Sequence, residues 1–421
     1  MTMIQSSSAF SRVTALAARR TVHSAFAWMH NNPRTIMDWQ ADLVAIPAPP
    51  FGEDARSSWA AERFAEIGLQ QIEIDALGNV TGLLPAADLP PESSGPVVVL
   101  SAHLDTVFPA GTELAPALGE CNGGLRLTAP GACDNGAGVA GMLAVARAMV
   151  ITGVKLAAPL ILLANVGEEG EGDLRGVRHF YAQKERTGRI AAHIVLDGAG
   201  ADSAVTEALG SRRFQITISG PGGHSFTDAG TPNPIAALAV ALVALARTQL
   251  PEEPRTTLNL GTVHGGTSVN SIPESATASV DFRSTSAGEL VRLEVALHRA
   301  VEDACIEANA RTFSNSARGD LRFSINKIGD RPAARLEEDS ALLTVMRAVD
   351  RHLGLRTDRR LGSTDANLPL SLGIPAIALG AGGEGGGAHT LAEWYCDKER
   401  EIGLRRILLL TLAMTEWAAE Q

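Results

Sequence analysis

The chain has 421 residues, 45% of them hydrophobic, which is enough for a substantial buried core and for more than one domain. Lysine and arginine total 36 against 47 aspartate and glutamate, a net charge of −11, and no basic cluster is dense enough to follow a phosphate backbone, which argues against nucleic acid as a partner. No segment approaches membrane-spanning length, which argues against a membrane protein.

The first 37 residues carry Arg12, Arg19, Arg20 and Arg34, several serines and no acid, a composition shared with organelle transit peptides. The apolar stretch from Ala25 to Met29 is too short for a signal-peptide core and is ended by His30 and Pro33, so Arg19-Arg20 does not read as a twin-arginine signal. Cys121, Cys133, Cys305 and Cys396 lie far apart with no C-x-x-C pair, which suits reduced thiols in a cytoplasmic protein better than a disulfide framework or a thiolate zinc site. Cys133 adjoins Asp134 and reads as a small buried hydrophobe.

Val97 to Ser101, Leu160 to Val166, Ile194 to Leu196 and Ile374 to Leu379 are short apolar runs followed by glycine or a charged residue, the pattern of buried parallel strands. Gly136 to Val150 and Leu342 to Leu353 have helical periodicity between them. The alternation predicts an α/β fold, a mostly parallel sheet with helices on both faces, whose site lies beyond the carboxyl ends of the strands. From about Ser211 to Ile328 the order becomes strand (Phe214 to Ser219), helix (Pro232 to Arg247), two strands (Thr257 to Val263, Thr277 to Arg283), helix (Ser286 to Ala310) and strand (Leu321 to Ile325). That is the β-α-β-β-α-β order of a ferredoxin-like module, with Ser286 and Glu289 as a capping box. The expected organisation is a catalytic domain of residues 1–210 and 329–421 with 211–328 inserted.

His103, Glu168, Glu169 and Asp197 each follow a predicted strand, which brings them to one edge of the sheet despite their separation in sequence. In extended chain His103 and Asp105 share a face, and Asp105 suits the acceptor that a metal-bound imidazole needs for its second N–H; a surface pair is the ordinary alternative. Asp134, in Gly131-Ala-Cys-Asp-Asn-Gly-Ala-Gly138, precedes a helix, where an aspartate N-cap is the ordinary reading and a carboxylate bridging two cations is compatible with it. Adjacent Glu168 and Glu169 repel unless cations or protons intervene; their side chains diverge, so one can bind metal while the other takes a proton. An acidic turn is the alternative. Asp197-Gly198 also fits a strand-end turn, and His389, after the glycine-rich Gly380 to Gly387, also fits a surface histidine. Together carboxylate and imidazole groups of this number suit two divalent ions, zinc first, with manganese or cobalt as alternatives.

These segments resemble the family of di-zinc exopeptidases and amidohydrolases that includes peptidase T, glutamate carboxypeptidase and the aminoacylases, and are most similar to its peptidase-T-like branch. The resemblance runs from about Thr35 through Ile46-Pro-Ala-Pro-Pro-Phe51, Ser101-Ala-His-Leu-Asp-Thr106, the Asp134 and Glu168-Glu169 segments, Gly220-Pro-Gly-Gly-His-Ser225, Gly265-Gly-Thr-Ser-Val-Asn-Ser-Ile-Pro273 and Gly362-Ser-Thr-Asp-Ala-Asn367. It implies that His103 and Asp197 bind one metal, Glu169 and His389 the other, and Asp134 both. It also implies that Glu168 is the general base, that Asp105 supports His103, and that the Asp134–Asn135 bond is cis. His224 would polarise the scissile carbonyl, across a dimer interface in relatives, while Asn270 and Arg283 would grip a substrate carboxylate; a loop histidine and a structural salt bridge are the plain alternatives for His224 and Arg283. The basic, serine-rich segment before Asp38 gives the resemblance less support for an ordered, cytoplasmic N-terminus.

The function expected is a metal-dependent exopeptidase of short peptides, tripeptidase-like or aminopeptidase-like, and a homodimer through the inserted domain. An N-acyl-amino-acid deacylase, which would take acylated amino acids, and a metal-dependent binding protein without turnover are the alternatives.

Overall fold

The computed structural model describes residues 3–87, 95–183, 188–311 and 319–421. The chain divides into two compact units, Met1–Ala208 with Arg335–Gln421, and Leu209–Ala334.

In the first unit the central strands lie side by side in the order Gln70–Ile74, Val80–Leu84, Leu160–Asn165, Val97–His103, Ile190–Leu196, Ala376–Leu379 and Ser203–Ala208. Val97–His103 runs parallel to both of its neighbours, and Ala376–Leu379 runs parallel to Ile190–Leu196. Antiparallel pairing is confined to the flanks. All seven residues of Val97–His103 are buried, which explains why this strand reads as a continuous apolar run with no alternation. Val97, Val99 and Leu163 pack on the helix Arg175–Ala182 through Val177 and Phe180. Val98 and Leu100 point the other way and are fully buried; the helices Gly136–Thr152 and Arg400–Ala419 contact their strand. Both of those helices are almost wholly buried, so neither shows an amphipathic stripe.

Two expectations need correction. The basic, serine-rich opening of the chain forms the helices Met3–Ala17 and Arg20–Asn31, whose Val13, Leu16, Val22, Ala25 and Met29 are buried. Two of its arginines face acids of the last helix, with Arg12 2.6 Å from Glu420 and Arg19 2.5 Å from Glu416. The cysteines are not all reduced, because Cys121 and Cys396 form a disulfide, while Cys133 and Cys305 are free and buried. Cys121 ends the strand Ala117–Cys121 and Cys396 ends Trp394–Cys396, and both strands flank Gly124–Thr128 in a separate four-stranded sheet. The pairing spans 275 residues and is created by that sheet, so spacing rules could not find it. The thiol argument for a cytoplasmic protein loses these two residues. Among the described residues no helix is long and apolar enough to cross a membrane.

The second unit is an antiparallel sheet in the order Thr256–Gly265, Ser275–Ser284, Gly210–Ser219, Arg322–Arg331, with the helices Pro234–Ala246 and Ala287–Ala310 packed against it. Its core joins Phe214, Ile216, Val280 and Phe282 of the sheet to Leu238, Leu290, Leu293 and Leu297 of the helices. Ser286 caps the longer helix by accepting from the Glu289 N–H at 3.4 Å.

Candidate metal centre

Three adjacent parallel strands end at one edge of the large sheet, and each releases a candidate residue there. His103 is the last residue of Val97–His103, Glu168 and Glu169 follow Leu160–Asn165, and Asp197 follows Ile190–Leu196. The chain leaves the strand for the Glu168–Glu169 segment through Gly167, at φ +65°, where an added Cβ would lie 2.5 Å from Cγ of Arg175.

Asp134 comes from the turn ahead of Gly136–Thr152. The cap of that helix is Asn135, not Asp134: its Oδ1 accepts from Gly138 N and Gly198 N, both at 3.1 Å, and its Nδ2 donates to the Leu196 carbonyl at 2.8 Å. The neighbouring aspartate is thereby spared capping. The Asp134–Asn135 peptide bond is cis. His389 comes from the loop of a short hairpin, Glu384–Gly386 with Trp394–Cys396, has φ +64° and is half-exposed.

His103, Asp134, Glu169, Asp197 and His389 converge. Asp134 Oδ1 lies 3.1 Å from His103 Nε2, and Oδ2 lies 3.1 Å from His389 Nε2. His389 Nε2 is also 3.0 Å from Glu169 Oε1, while His103 Nε2 is 4.0 Å from Asp197 Oδ1. One ligand atom each of His103, Asp134 and Glu169 fall within 4.8 Å of one another. The cluster therefore has two halves, His103 with Asp197 and Glu169 with His389, and Asp134 turns one oxygen to each.

Asp105 lies beside His103, whose Nδ1 is 3.1 Å from the Asp105 main-chain oxygen and 3.6 Å from its carboxylate. The carboxylate also accepts the N–H groups of Glu168 and Glu169 at 3.0 and 2.8 Å, which fixes the main chain of both glutamates.

The electrostatics of the cluster calls for positive charge. Burial, together with the nearby Glu168 and Asp134 carboxylates, pushes Glu169 up to about 8. Burial acts upward on Asp134 as well, but hydrogen bonds from His103 and His389 outweigh it and hold this carboxyl below its ordinary range. Hydrogen bonding to Asp134 raises His389 to about 9. Protons thus stand in for the charge that closely packed acids need, and the donor set of imidazole nitrogens and carboxylate oxygens fits divalent zinc, manganese or cobalt.

Asp365 carries no separate role in the sequence reading, where it appears only within Gly362-Ser-Thr-Asp-Ala-Asn367. It is fully buried, accepts from Asn165 Nδ2 at 2.7 Å, and its Oδ1 has no hydrogen-bond partner among the described residues. Burial and the nearby Glu168 carboxylate push it up to about 8. Its sequence signal is the short polar run from Ser363 to Asn367 in which it lies.

The second unit brings His224 and Asn270 together, since Ser225 N donates to the Asn270 carbonyl at 3.1 Å and His224 pairs with Ser271 in a short antiparallel bridge. Nδ1 of His224 accepts from Phe226 N at 3.2 Å. A cavity of about 590 Å³ beside them is lined by Gly223, His264, Thr267, Ser271 and Glu274 among others. Arg283 stands apart from this pair in its bonding: its Nε donates to Asp281 Oδ2 at 2.8 Å, and Asp281 also receives Arg213 at 3.1 Å. The structural salt bridge weighed for Arg283 is therefore present.

Residues 99–413 match the model of Peptidase family M20/M25/M40. A probable carboxypeptidase of Aspergillus flavus is 29% identical over 233 residues, 51% of this chain and 52% of that protein, and one of Paracoccidioides lutzii is 30% identical over 229 residues, 49% of each. The chain spans about half the length of these curated relatives. Among solved structures, the aminopeptidase PepT of Bacillus cereus aligns with a TM-score of 0.70 at 19% identity, over 91% of this chain and 99% of that one. A tripeptidase of Staphylococcus aureus aligns with a TM-score of 0.68 at 20% identity, over 93% and 99%. A dinuclear metal binding peptidase of Bacillus subtilis gives 0.63 at 16%, over 91% and 98%. At these identities the structural likeness is one of fold. The family match covers the candidate residues at all three strand ends and the His389 hairpin, and the chain belongs to Peptidase family M20/M25/M40.

Proposed function

We propose that this chain is a metal-dependent exopeptidase that hydrolyses the amide bonds of short peptides, as the peptidase-T-like resemblance implies. The observation that supports this reading most is Asp134, whose two carboxylate oxygens each face one histidine at 3.1 Å. His103 and Asp197 would hold one ion, Glu169 and His389 the second, with Asp134 shared. Divalent ions bound there, zinc first and manganese or cobalt as alternatives, supply Lewis-acid polarisation and lower the pKa of water.

Glu168 is the base. It is buried, its main chain is fixed by Asp105, and it is not needed as a ligand. Its carboxylate takes the proton of the attacking water and delivers it to the leaving amine. In the second unit the acceptor role of His224 Nδ1 leaves the proton on Nε2, which makes that nitrogen a donor suited to a developing oxyanion. Asn270 beside it supplies amide hydrogen bonds to substrate, and Arg283 would recognise a carboxylate only by sharing Asp281's hold on its guanidinium.

A homodimer is part of the proposal. The helix Pro234–Ala246 leaves Ile235, Val240 and Val243 41, 49 and 51% exposed, and the edge strand Thr256–Gly265 leaves Val263 57% exposed. Apolar side chains on one helix of a small unit, next to an unpaired strand edge, suit burial against a second copy.

Glu168→Gln is expected to keep metal content and to lower turnover by about 10²- to 10⁴-fold, and hydrolysis at the parental rate would remove Glu168 as the base. A panel of short free peptides and N-acyl amino acids defines the substrate: hydrolysis confined to the acylated compounds moves the reading to a deacylase, and no hydrolysis of either with zinc, manganese or cobalt moves it to a binding protein.

Metal entry should be coupled to protons. Glu169 titrates near 8 and His389 near 9 without metal, and against burial the Asp105 and Asp134 carboxylates hold His103 well above its ordinary value, so at pH 7 all three hold protons that a ligand must give up. Calorimetry in buffers of different ionisation enthalpy should show about two to three protons released at pH 7, with affinity falling as pH is lowered below 8. Binding without proton release would contradict the ligand assignment. For the dimer, Val243→Asp should shift sedimentation to the monomer, and a wild-type protein that sediments only as monomer would end that part of the proposal.

A further inference from the structure

Two buried carboxylates at the centre are neither the base nor proposed metal ligands, and both point at main-chain N–H groups. Asp105, two residues after His103, accepts from Glu168 N and Glu169 N. Glu393, four residues after His389 and fully buried, accepts from Gly131 N at 2.9 Å, Cys133 N at 2.7 Å and Asp134 N at 2.8 Å. The arrangement is reciprocal. Each acid follows one histidine closely in sequence and fixes a segment that carries another ligand.

Glu393 is itself fixed. Its N–H donates to the Thr390 carbonyl at 3.2 Å, closing the turn that begins at His389, and its carbonyl accepts from Ala129 N at 3.1 Å. The distance between His389 and Asp134 thus depends on one short side chain that reaches from the histidine's turn to the aspartate's turn. A buried cation is bonded to the main chain one residue before Asp105. Arg56 is 1% exposed and donates to the carbonyls of Ile46 at 2.8 Å and Leu104 at 2.7 Å, while its Nη2 has no hydrogen-bond partner among the described residues. Burial lowers Arg56 to about 10, and the acids that oppose this shift are Asp105 and Glu393.

We propose that Glu393 is a positioning residue of the metal centre, holding the Gly131–Asp134 turn at ligand distance from His389. The carboxylate form matters because three N–H donors converge on it. An amide in its place offers one acceptor oxygen and turns an NH₂ group toward donors. The role rests on the metal-site reading above and extends it to a residue that would touch neither ion nor substrate.

The test is titration of the metal-free, full-length protein with Zn(II), and with Co(II) followed by visible absorption. Glu393→Gln should bind Zn(II) about 10- to 100-fold more weakly and change the Co(II) spectrum, the size of effect seen when support of a ligand is lost. Glu393→Asp, which keeps the charge, should recover part of the affinity. Equal Zn(II) affinity and an unchanged Co(II) spectrum in Glu393→Gln would overturn the role. Should that variant fail to fold, amide hydrogen exchange of the wild-type metal-free protein decides: slow exchange at Gly131, Cys133 and Asp134 supports the clamp, and exchange at unprotected rates overturns it. Failure of the wild type to bind either metal is a separate outcome that removes the site reading, and this role with it.

Discussion

Closely packed negative charge governs this structure. Glu168, Glu169 and Asp105 are buried, Asp134 and Asp197 lie next to them, and the imidazoles of His103 and His389 stand among them. Such an arrangement repels itself in a medium of low polarity, and a fold that maintains it needs cations or bound protons. The raised positions of Glu169 and His389 show protons filling that need. A site that divalent ions would complete, each replacing protons, is what the donor chemistry suits.

The candidate ligands reach the cluster by different means, and each has its own support. His103, the glutamates and Asp197 are placed by parallel strands that end together, a position set by the sheet's hydrogen bonding. Asp134 depends on a helix start capped by its neighbour Asn135, and His389 on a hairpin loop in a second sheet. The hairpin is the least constrained of these by burial, and it is also the one whose strand carries the disulfide to Ala117–Cys121. Rigid support beneath loop-borne ligands is what a preorganised metal site requires.

Much of this was legible from residues alone, and the reasons are physical. Val97–His103 and Leu160–Asn165 are buried on both faces, so their composition announces them, and the acids that interrupt those runs mark the sheet edge. The ferredoxin-like order of the second unit follows from alternating periodicities that each element meets separately. The antiparallel flank Gln70–Leu84 escaped notice because Gln70–Ile74 is mostly exposed and carries no apolar run. The arginine-rich composition of the opening helices gives no sign of the pairing of Arg12 with Glu420 and Arg19 with Glu416. The spacing of Asp105 points to His103, but not to the main-chain groups more than 60 residues away that its carboxylate also accepts from. Glu393 and Asp365 share that difficulty: what they do depends on the N–H groups and amides they meet, and no local pattern encodes such partners.

The most direct measurement is a crystal structure of the zinc-loaded protein with anomalous scattering recorded at the zinc edge. Two peaks about 3.5 to 4 Å apart, one near each carboxylate oxygen of Asp134, are expected, with His103 and Asp197 at one and Glu169 and His389 at the other. Zinc bound elsewhere, or a single ion that leaves Asp134 uncoordinated, would contradict the two-ion centre.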